Sequence, residues 1–195
     1  FAAVLSSISL AFALVVAPYA PTSVNHTSFP LLLEATLEDL TAGLESNLFT
    51  SVDLVKAYSL RILEVNSTLH VVTELNPDAL GIATHADELR RNGTILGPLH
   101  GIPILIKNNI ATGDAMNSTN GWSAYGGQAT AAYYPEQDPS GSSSGSGVAS
   151  SIGLALGALG TETSGSILSP ADVSNLVGIK PSVGLTSRHL VIPVS

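Results

Sequence analysis

Residues 140–167 read SGSSSGSGVASSIGLALGALGTETSGSI. Two Ser/Gly-rich turns bracket an apolar run, since Gly141-Ser142-Ser143-Ser144-Gly145 gives way to Val148, Ala149, Ile152, Leu154, Leu156 and Leu159 before Gly165-Ser166 arrives. A flexible linker would keep its Gly and Ser composition throughout. Each turn therefore sits at the end of something packed, and the stretch is built to present serines. Ser142, Ser143 and Ser144 can cap the helix of the apolar run, the commoner role for an isolated serine. A phosphate cradle is another use of such a loop, but no Gly-Lys-Ser/Thr follows, so the P-loop pattern is absent. The second turn, Gly160-Thr-Glu-Thr-Ser-Gly165, can converge successive backbone N–H groups on one point, as an oxyanion hole requires. That sets the Ser166 hydroxyl beside its own charge-stabilising donors.

Upstream, Gly97-Pro-Leu-His-Gly-Ile-Pro-Ile-Leu-Ile-Lys107 holds a continuous apolar run, Ile102 and Ile104 to Ile106, bounded by Gly and Pro. It reads as a strand buried on both faces. Leu176-Val-Gly-Ile179 reads as a second strand. Helical spacing precedes them. Leu37, Leu40 and Leu44 follow Thr36, with Glu38 and Asp39 in the first turn, and this helix ends near Ser46-Asn47. Thr50 or Ser51 caps a second helix with Val52, Val55, Tyr58, Ile62 and Leu63 on its buried stripe, stopping near Asn66. A brief extended piece spans Leu69 to Leu75. Pro77 suits the first turn of a third helix carrying Leu80, Ala83, Ala86 and Leu89, closed by Asn92-Gly93. Residues 111–140 are polar and Gly-rich and match no element. The expected class is α/β, a mixed sheet flanked by helices.

At 195 residues with 45% apolar content the chain can build one core. Phe1 to Ala17 carries no charge and reads as the apolar region of a secretory signal, with small-residue cleavage sites at Ala17 or Ala20. A membrane anchor is the rival, but the run is short for a span of about 20 residues, and Pro18 and Pro21 favour processing. The expected organisation is thus a leader over residues 1–20 and a domain over 30–195. Glycosylation sequons at Asn25, Asn66, Asn92 and Asn117 support export, so a secreted glycoprotein with no stable membrane span after processing is expected. The absence of cysteine removes disulfides and thiol catalysis. A net charge of −8 with 7 Lys+Arg argues against a nucleic-acid partner, which needs clustered cations.

Lys107 is the first chemical candidate. An ammonium at the end of an apolar strand is costly to bury, and its pKa falls towards neutrality as water is excluded; snorkelling to the surface is the alternative. A serine nucleophile needs a base, and His is the familiar one. Yet His26, His70, His85, His100 and His189 lie in no nucleophile-elbow context, and no pair has zinc-ligand spacing. Lysine acting through a serine relay remains.

Gly101-Ile-Pro-Ile-Leu-Ile-Lys107-Asn-Asn, Gly141-Ser142-Ser-Ser-Gly-Ser and Gly160-Thr-Glu-Thr-Ser-Gly-Ser166-Ile, in that order, resemble the three signature blocks of the amidase signature family, and Gly-Ile-Lys-Pro at 178–181 also fits. The resemblance covers roughly residues 36–195. It implies part of the amidase-signature fold and hydrolysis of carboxylic amides by a lysine, a serine on a cis peptide bond and a nucleophilic serine. Matched block to block, Lys107 takes the place of the base, Ser142 that of the relay and Ser166 that of the nucleophile, with the N–H groups of Thr163, Ser164, Gly165 and Ser166 as the oxyanion hole. Ser142 is preferred to Ser143 because it aligns the serine blocks without a gap. No cofactor and no metal enter the implied chemistry, and the implied partner is a small-molecule or peptide amide.

The sequence also departs from that pattern. Asn108 stands where the family usually has Asp after the lysine, and Ser164 where it generally has Asp or Gly. Only 35 positions separate Lys107 from Ser142, so a strand-helix unit that the family places between these blocks is missing, with Met116–Asn117 as the expected junction. The family also continues beyond the block that ends this chain. The expectation is therefore an incomplete amidase domain, and the alternative to an amide hydrolase is a catalytically inactive secreted remnant or binding module.

Overall fold

A computed structural model describes residues 29–110, 118–119, 121–123, 126–134 and 136–192. The apolar leader, Asn25, His26, Asn117 and the expected junction lie outside the described residues. Three helices come first: α1 (Leu37–Glu45), α2 (Ser51–Leu69) and α3 (Ala79–Arg91). Then follow β1 (Leu105–Ile106), β2 (Ser118–Thr119), β3 (Trp122–Ser123), β4 (Gly127–Gln128), α4 (Ser144–Ser151), β5 (Ala158–Leu159) and α5 (Leu168–Val173).

The first two helices start where their sequences say they should. Thr36 and Thr50 each accept the N–H of the residue three ahead, while Asp39 and Asp53 accept the cap N–H in return. This reciprocal box satisfies two orphan donors at once. The N-terminus of α2 gains a second acid: Asp87 of α3 accepts the N–H groups of Ser51 at 2.8 Å and Val52 at 3.2 Å. A carboxylate there also meets the positive end of the helix dipole, so the contact fixes α3 against α2.

Helix α2 is the spine of the core. Leu54 and Tyr58 pack with Leu40, Leu44, Phe49 and Ile102, and Phe29 stacks on Phe49 at 4.8 Å. One turn on, Ile62 joins Val71, Ala129, Val148, Ala149 and Leu154, which brings α4 against the other end of the same stripe. Arg61 ties the two helices further by donating to the carbonyls of Ile152 at 2.7 Å and Gly153 at 3.1 Å. It thereby satisfies orphan carbonyls at the end of α4. Gly145 lets α4 close in, because a Cβ there would lie 2.5 Å from the Val71 carbonyl oxygen.

Strand pairing differs from the expectation. β1 pairs in parallel with β5, and β2, β3 and β4 form a separate antiparallel meander inside the stretch that matched no element. Leu176–Ile179 is not a strand. Gly178 packs on α5, where a Cβ would meet Ala171 at 2.8 Å, and Val177 and Ile179 point outward, 89% and 76% exposed. The segment has the alternation of a strand but, among the described residues, no neighbour to complete a ladder. β1 is also less enclosed than expected: Ile102 is buried, whereas Ile104 and Ile106 are 37% and 41% exposed.

Helix α2 runs past Asn66 to Leu69, and His70 closes it in the left-handed region at φ 52°. Asn66 explains the extension. Its Oδ1 accepts the N–H groups of Val71 and Val72, each at 2.9 Å, and its Nδ2 donates to the Val72 carbonyl at 2.6 Å. Asn66 thus clamps the backbone that follows the helix. Asn92, by contrast, caps α3 in an exposed position. Among the described residues no helix is long and apolar enough to cross a membrane. Replacing Asn66 by Ala in protein made without glycans should cost about 1–3 kcal/mol, because Val71 and Val72 lose their acceptor; urea unfolding measures it, and an unchanged midpoint would refute the clamp.

Candidate active site

The parallel ladder sets the site. Lys107 follows β1 directly, and its N–H donates to the Leu159 carbonyl of β5 at 3.0 Å. The side chain then turns inward and is only 8% exposed, so it does not snorkel. Its Nζ donates to Ser142 Oγ at 2.6 Å and more weakly to the Thr161 carbonyl at 3.4 Å. No carboxylate pairs with it among the described residues. Burial lowers its pKa to about 8, since desolvation penalises the ammonium and no negative charge offsets the loss.

Each serine of the run has a different task. The Gly141–Ser142 peptide bond is cis. The hydroxyl that meets the lysine is that of Ser142. Ser143 begins α4 without a side-chain cap. Its N–H donates to the Ser166 carbonyl at 3.1 Å, and its Oγ accepts the Thr161 N–H at 3.3 Å. Ser144 Oγ donates to the Ser140 carbonyl. None of the three caps the helix in the ordinary way, so the capping expectation fails. Ser143 acts as a bracket joining the two turns, and Gly160 lets it fit, because a Cβ there would lie 2.8 Å from Ser143 Oγ.

The second turn is organised by a residue that sequence reading passes over. Glu162 Oε2 accepts the N–H groups of Ile167 at 2.8 Å and Leu168 at 3.0 Å. Desolvation pushes this carboxyl up, but the backbone donors of Leu168, Ile167 and Gly165, with the Lys180 ammonium, outweigh it and hold the pKa below the usual value. Gly165, at φ 82°, completes the bend that presents Ser166. Ser166 is half-buried and tied to Ser143 through its backbone. Of the expected oxyanion donors, Gly165 is therefore partly engaged by Glu162.

Asn109 is a second such residue. It is buried, and its amide exchanges hydrogen bonds with Thr161 Oγ1 at 2.9 and 3.1 Å, clamping the end of β1 to the end of β5. The only cue for it was its position two residues after Lys107. Asn108 turns away to Thr73 Oγ1 at 2.8 Å. His100 is structural: its Nε2 lies 2.9 Å from the Ala86 carbonyl and its Nδ1 accepts from Leu96 N–H. His70, His85 and His189 are exposed. Among the described residues no three His, Asp or Glu side chains form a metal cluster. A cleft of about 520 Å³ opens beside Lys107 and Ser142, walled by α2, residues 70–76 and residues 103–108; Ser166 is not among its lining residues.

Known proteins place these features in context. The amidase family model matches this chain in two pieces, residues 53–126 and 114–195. A putative amidase of Arthroderma benhamiae is 48% identical over 233 residues, covering 85% of this chain and 39% of its own length. A probable amidase of Arabidopsis thaliana is 37% identical over 234 residues, covering 95% of this chain and 46% of its own. The structure of native peptide amidase from Stenotrophomonas maltophilia superposes with a TM-score of 0.79 at 35% identity, covering 89% of this chain and 44% of that one. This chain thus spans less than half the length of these relatives. The aligned spans of 233 and 234 residues also exceed its 195 residues, so both relatives carry internal segments that it lacks. With both family-model pieces falling on the lysine and serine turns described above, the chain belongs to the amidase family.

Proposed function

We propose that this chain carries the catalytic centre of an exported amide hydrolase, with Lys107 as base, Ser142 as relay and Ser166 as nucleophile. The carrying observation is the 2.6 Å contact between Lys107 Nζ and Ser142 Oγ in a site where burial holds the amine near neutrality. Neutral Lys107 takes the Ser142 proton while Ser142 takes the Ser166 proton, and Ser166 Oγ attacks the substrate carbonyl. The N–H groups of residues 163–166 steady the oxyanion. The proton returns along the relay to the leaving amine, the C–N bond breaks, and water releases the acyl group by the same steps. A relay is needed because serine at its ordinary pKa is a poor nucleophile and the lysine meets Ser142, not Ser166. Peptide amides are the favoured substrate class, on the likeness to peptide amidase. Export rests on the apolar leader and the exposed Asn92 sequon.

One observation favours the rival, a non-catalytic remnant: Ser166 does not line the cleft that opens beside Lys107 and Ser142. Catalytic groups often align only when substrate binds, and a covalent probe separates the two. A fluorophosphonate should label Ser166, with the label lost in Ser166→Ala and in Lys107→Ala; folded but unlabelled protein would establish the remnant. The labelling rate should rise about tenfold per pH unit below 8 and level off above it, following neutral Lys107.

A second pH test does not depend on activity. The Lys107 pKa is lowered on folding from 10.5 to about 8, so between these values the unfolded chain binds more protons than the native one. Stability must therefore rise with pH across that window. Wild type should gain stability from pH 8 to 10 relative to Lys107→Met, as urea unfolding at each pH would record; parallel curves would show that the amine is not desolvated.

A further inference from the structure

We infer that the Asn109–Thr161 side-chain pair is a positioning device for the base: it holds the Thr161 carbonyl against the Lys107 amine, so that the nitrogen lone pair is left for Ser142. This deepens the reading of Lys107 as base and Ser142 as relay, and rests on it. An ammonium carries three N–H bonds and no lone pair, whereas the neutral amine carries two N–H bonds and one lone pair. As an ammonium, Lys107 Nζ donates to Ser142 Oγ at 2.6 Å, but to act as a base it must turn its lone pair to that same hydroxyl. The amine rotates about its last carbon–nitrogen bond unless one of its N–H groups is held elsewhere. The Thr161 carbonyl, 3.4 Å from Nζ, is the second oxygen on the amine.

A 3.4 Å contact sits at the outer limit of a hydrogen bond, and a retreat of about half an ångström would end it. What fixes Thr161 therefore decides whether the contact is made. The strand does not, because the β1–β5 ladder closes with Lys107 N–H on the Leu159 carbonyl, and Gly160 follows. Ser143 holds Thr161 at longer range, its Oγ lying 3.4 Å from the Thr161 carbonyl oxygen and 3.3 Å from the Thr161 nitrogen. The bonds from Asn109 are shorter. Its Nδ2 donates to Thr161 Oγ1 at 2.9 Å, and Oγ1 donates back to Oδ1 at 3.1 Å.

Asn109 is itself fixed. Its carbonyl accepts the Ile192 N–H at 2.9 Å, and the Ile110 N–H closes a turn onto the Lys107 carbonyl at 2.9 Å. Asn109 is buried, so water competes little for its amide. The pair thus ties the tip of the lysine side chain to the backbone two residues after the lysine. The carbonyl it holds acts in two ways. In the neutral amine it takes one N–H and orients the lone pair; once Nζ has bonded the Ser142 proton, it faces an N–H of the ammonium and favours that charged form. A pair that only sealed the site would have the opposite signature, since its loss would admit water and raise the Lys107 pKa back toward 10.5. No carboxylate pairs with Lys107 among the described residues, so its titration reports on burial and on these two oxygens.

The experiment follows the titration of Lys107 and the labelling of Ser166 side by side in the 195-residue protein. The chain has three lysines, Lys56, Lys107 and Lys180, so isotope-labelled lysine gives a side-chain NMR signal from each, and Lys107→Met identifies the one wanted. Thr161→Val removes the hydroxyl and keeps the shape. It should lower the Lys107 midpoint, about 8 in wild type, by about half a pH unit, and cut the fluorophosphonate labelling rate at the alkaline plateau by about fivefold or more. Thr161→Ser, which keeps the hydroxyl, should restore both. If Thr161→Val fails to fold because the Asn109 amide is left buried without its partner, Asn109→Leu/Thr161→Val replaces both members by apolar groups, a nearly neutral exchange, with the same expected result. A midpoint that stays put or rises toward 10.5, or an unchanged plateau in labelled protein, would overturn the inference. Wild type that is folded but never labelled would instead sink the nucleophile assignment, and the direction of the midpoint shift would still decide whether the pair places the carbonyl.

Discussion

The site depends on one buried amine. An ammonium withdrawn from water needs acceptors, and the fold supplies the Ser142 hydroxyl at 2.6 Å and a carbonyl at the edge of reach. It supplies no acid among the described residues. A carboxylate at that distance would favour the ammonium and raise its pKa again. The backbone obeys the same requirement. Lys107 can reach inward only because its N–H is fixed to β5, and Asn109 and Thr161 then lock the two strand ends together.

From that amine the two turns follow. Ser143 donates its N–H to Ser166 and accepts the Thr161 N–H at its hydroxyl, so the Ser142 turn and the Ser166 turn cannot drift apart without breaking both bonds. Glu162 does for the second turn what Asp87 does for α2, gathering backbone N–H groups at a helix start. Both acids act on the geometry of donors, and each stabilises a position that the apolar core alone leaves free to slide.

Legibility divided along the same line. Thr36 and Thr50 could be read because a capping box is complete within four residues, and Leu40, Leu44, Leu54, Tyr58 and Ile62 because helical spacing marks a buried stripe. Lys107, Ser142 and Ser166 could be read as a set only through the resemblance, since nothing local tells a lysine that its partner lies 35 positions away. Leu176–Ile179 looks like a strand in sequence, but strand character requires a neighbour, and alternation survives on a surface segment that has none among the described residues. Glu162 and Asn109 were invisible for a related reason: their partners are backbone N–H groups and a threonine brought close by folding, and composition carries no trace of either.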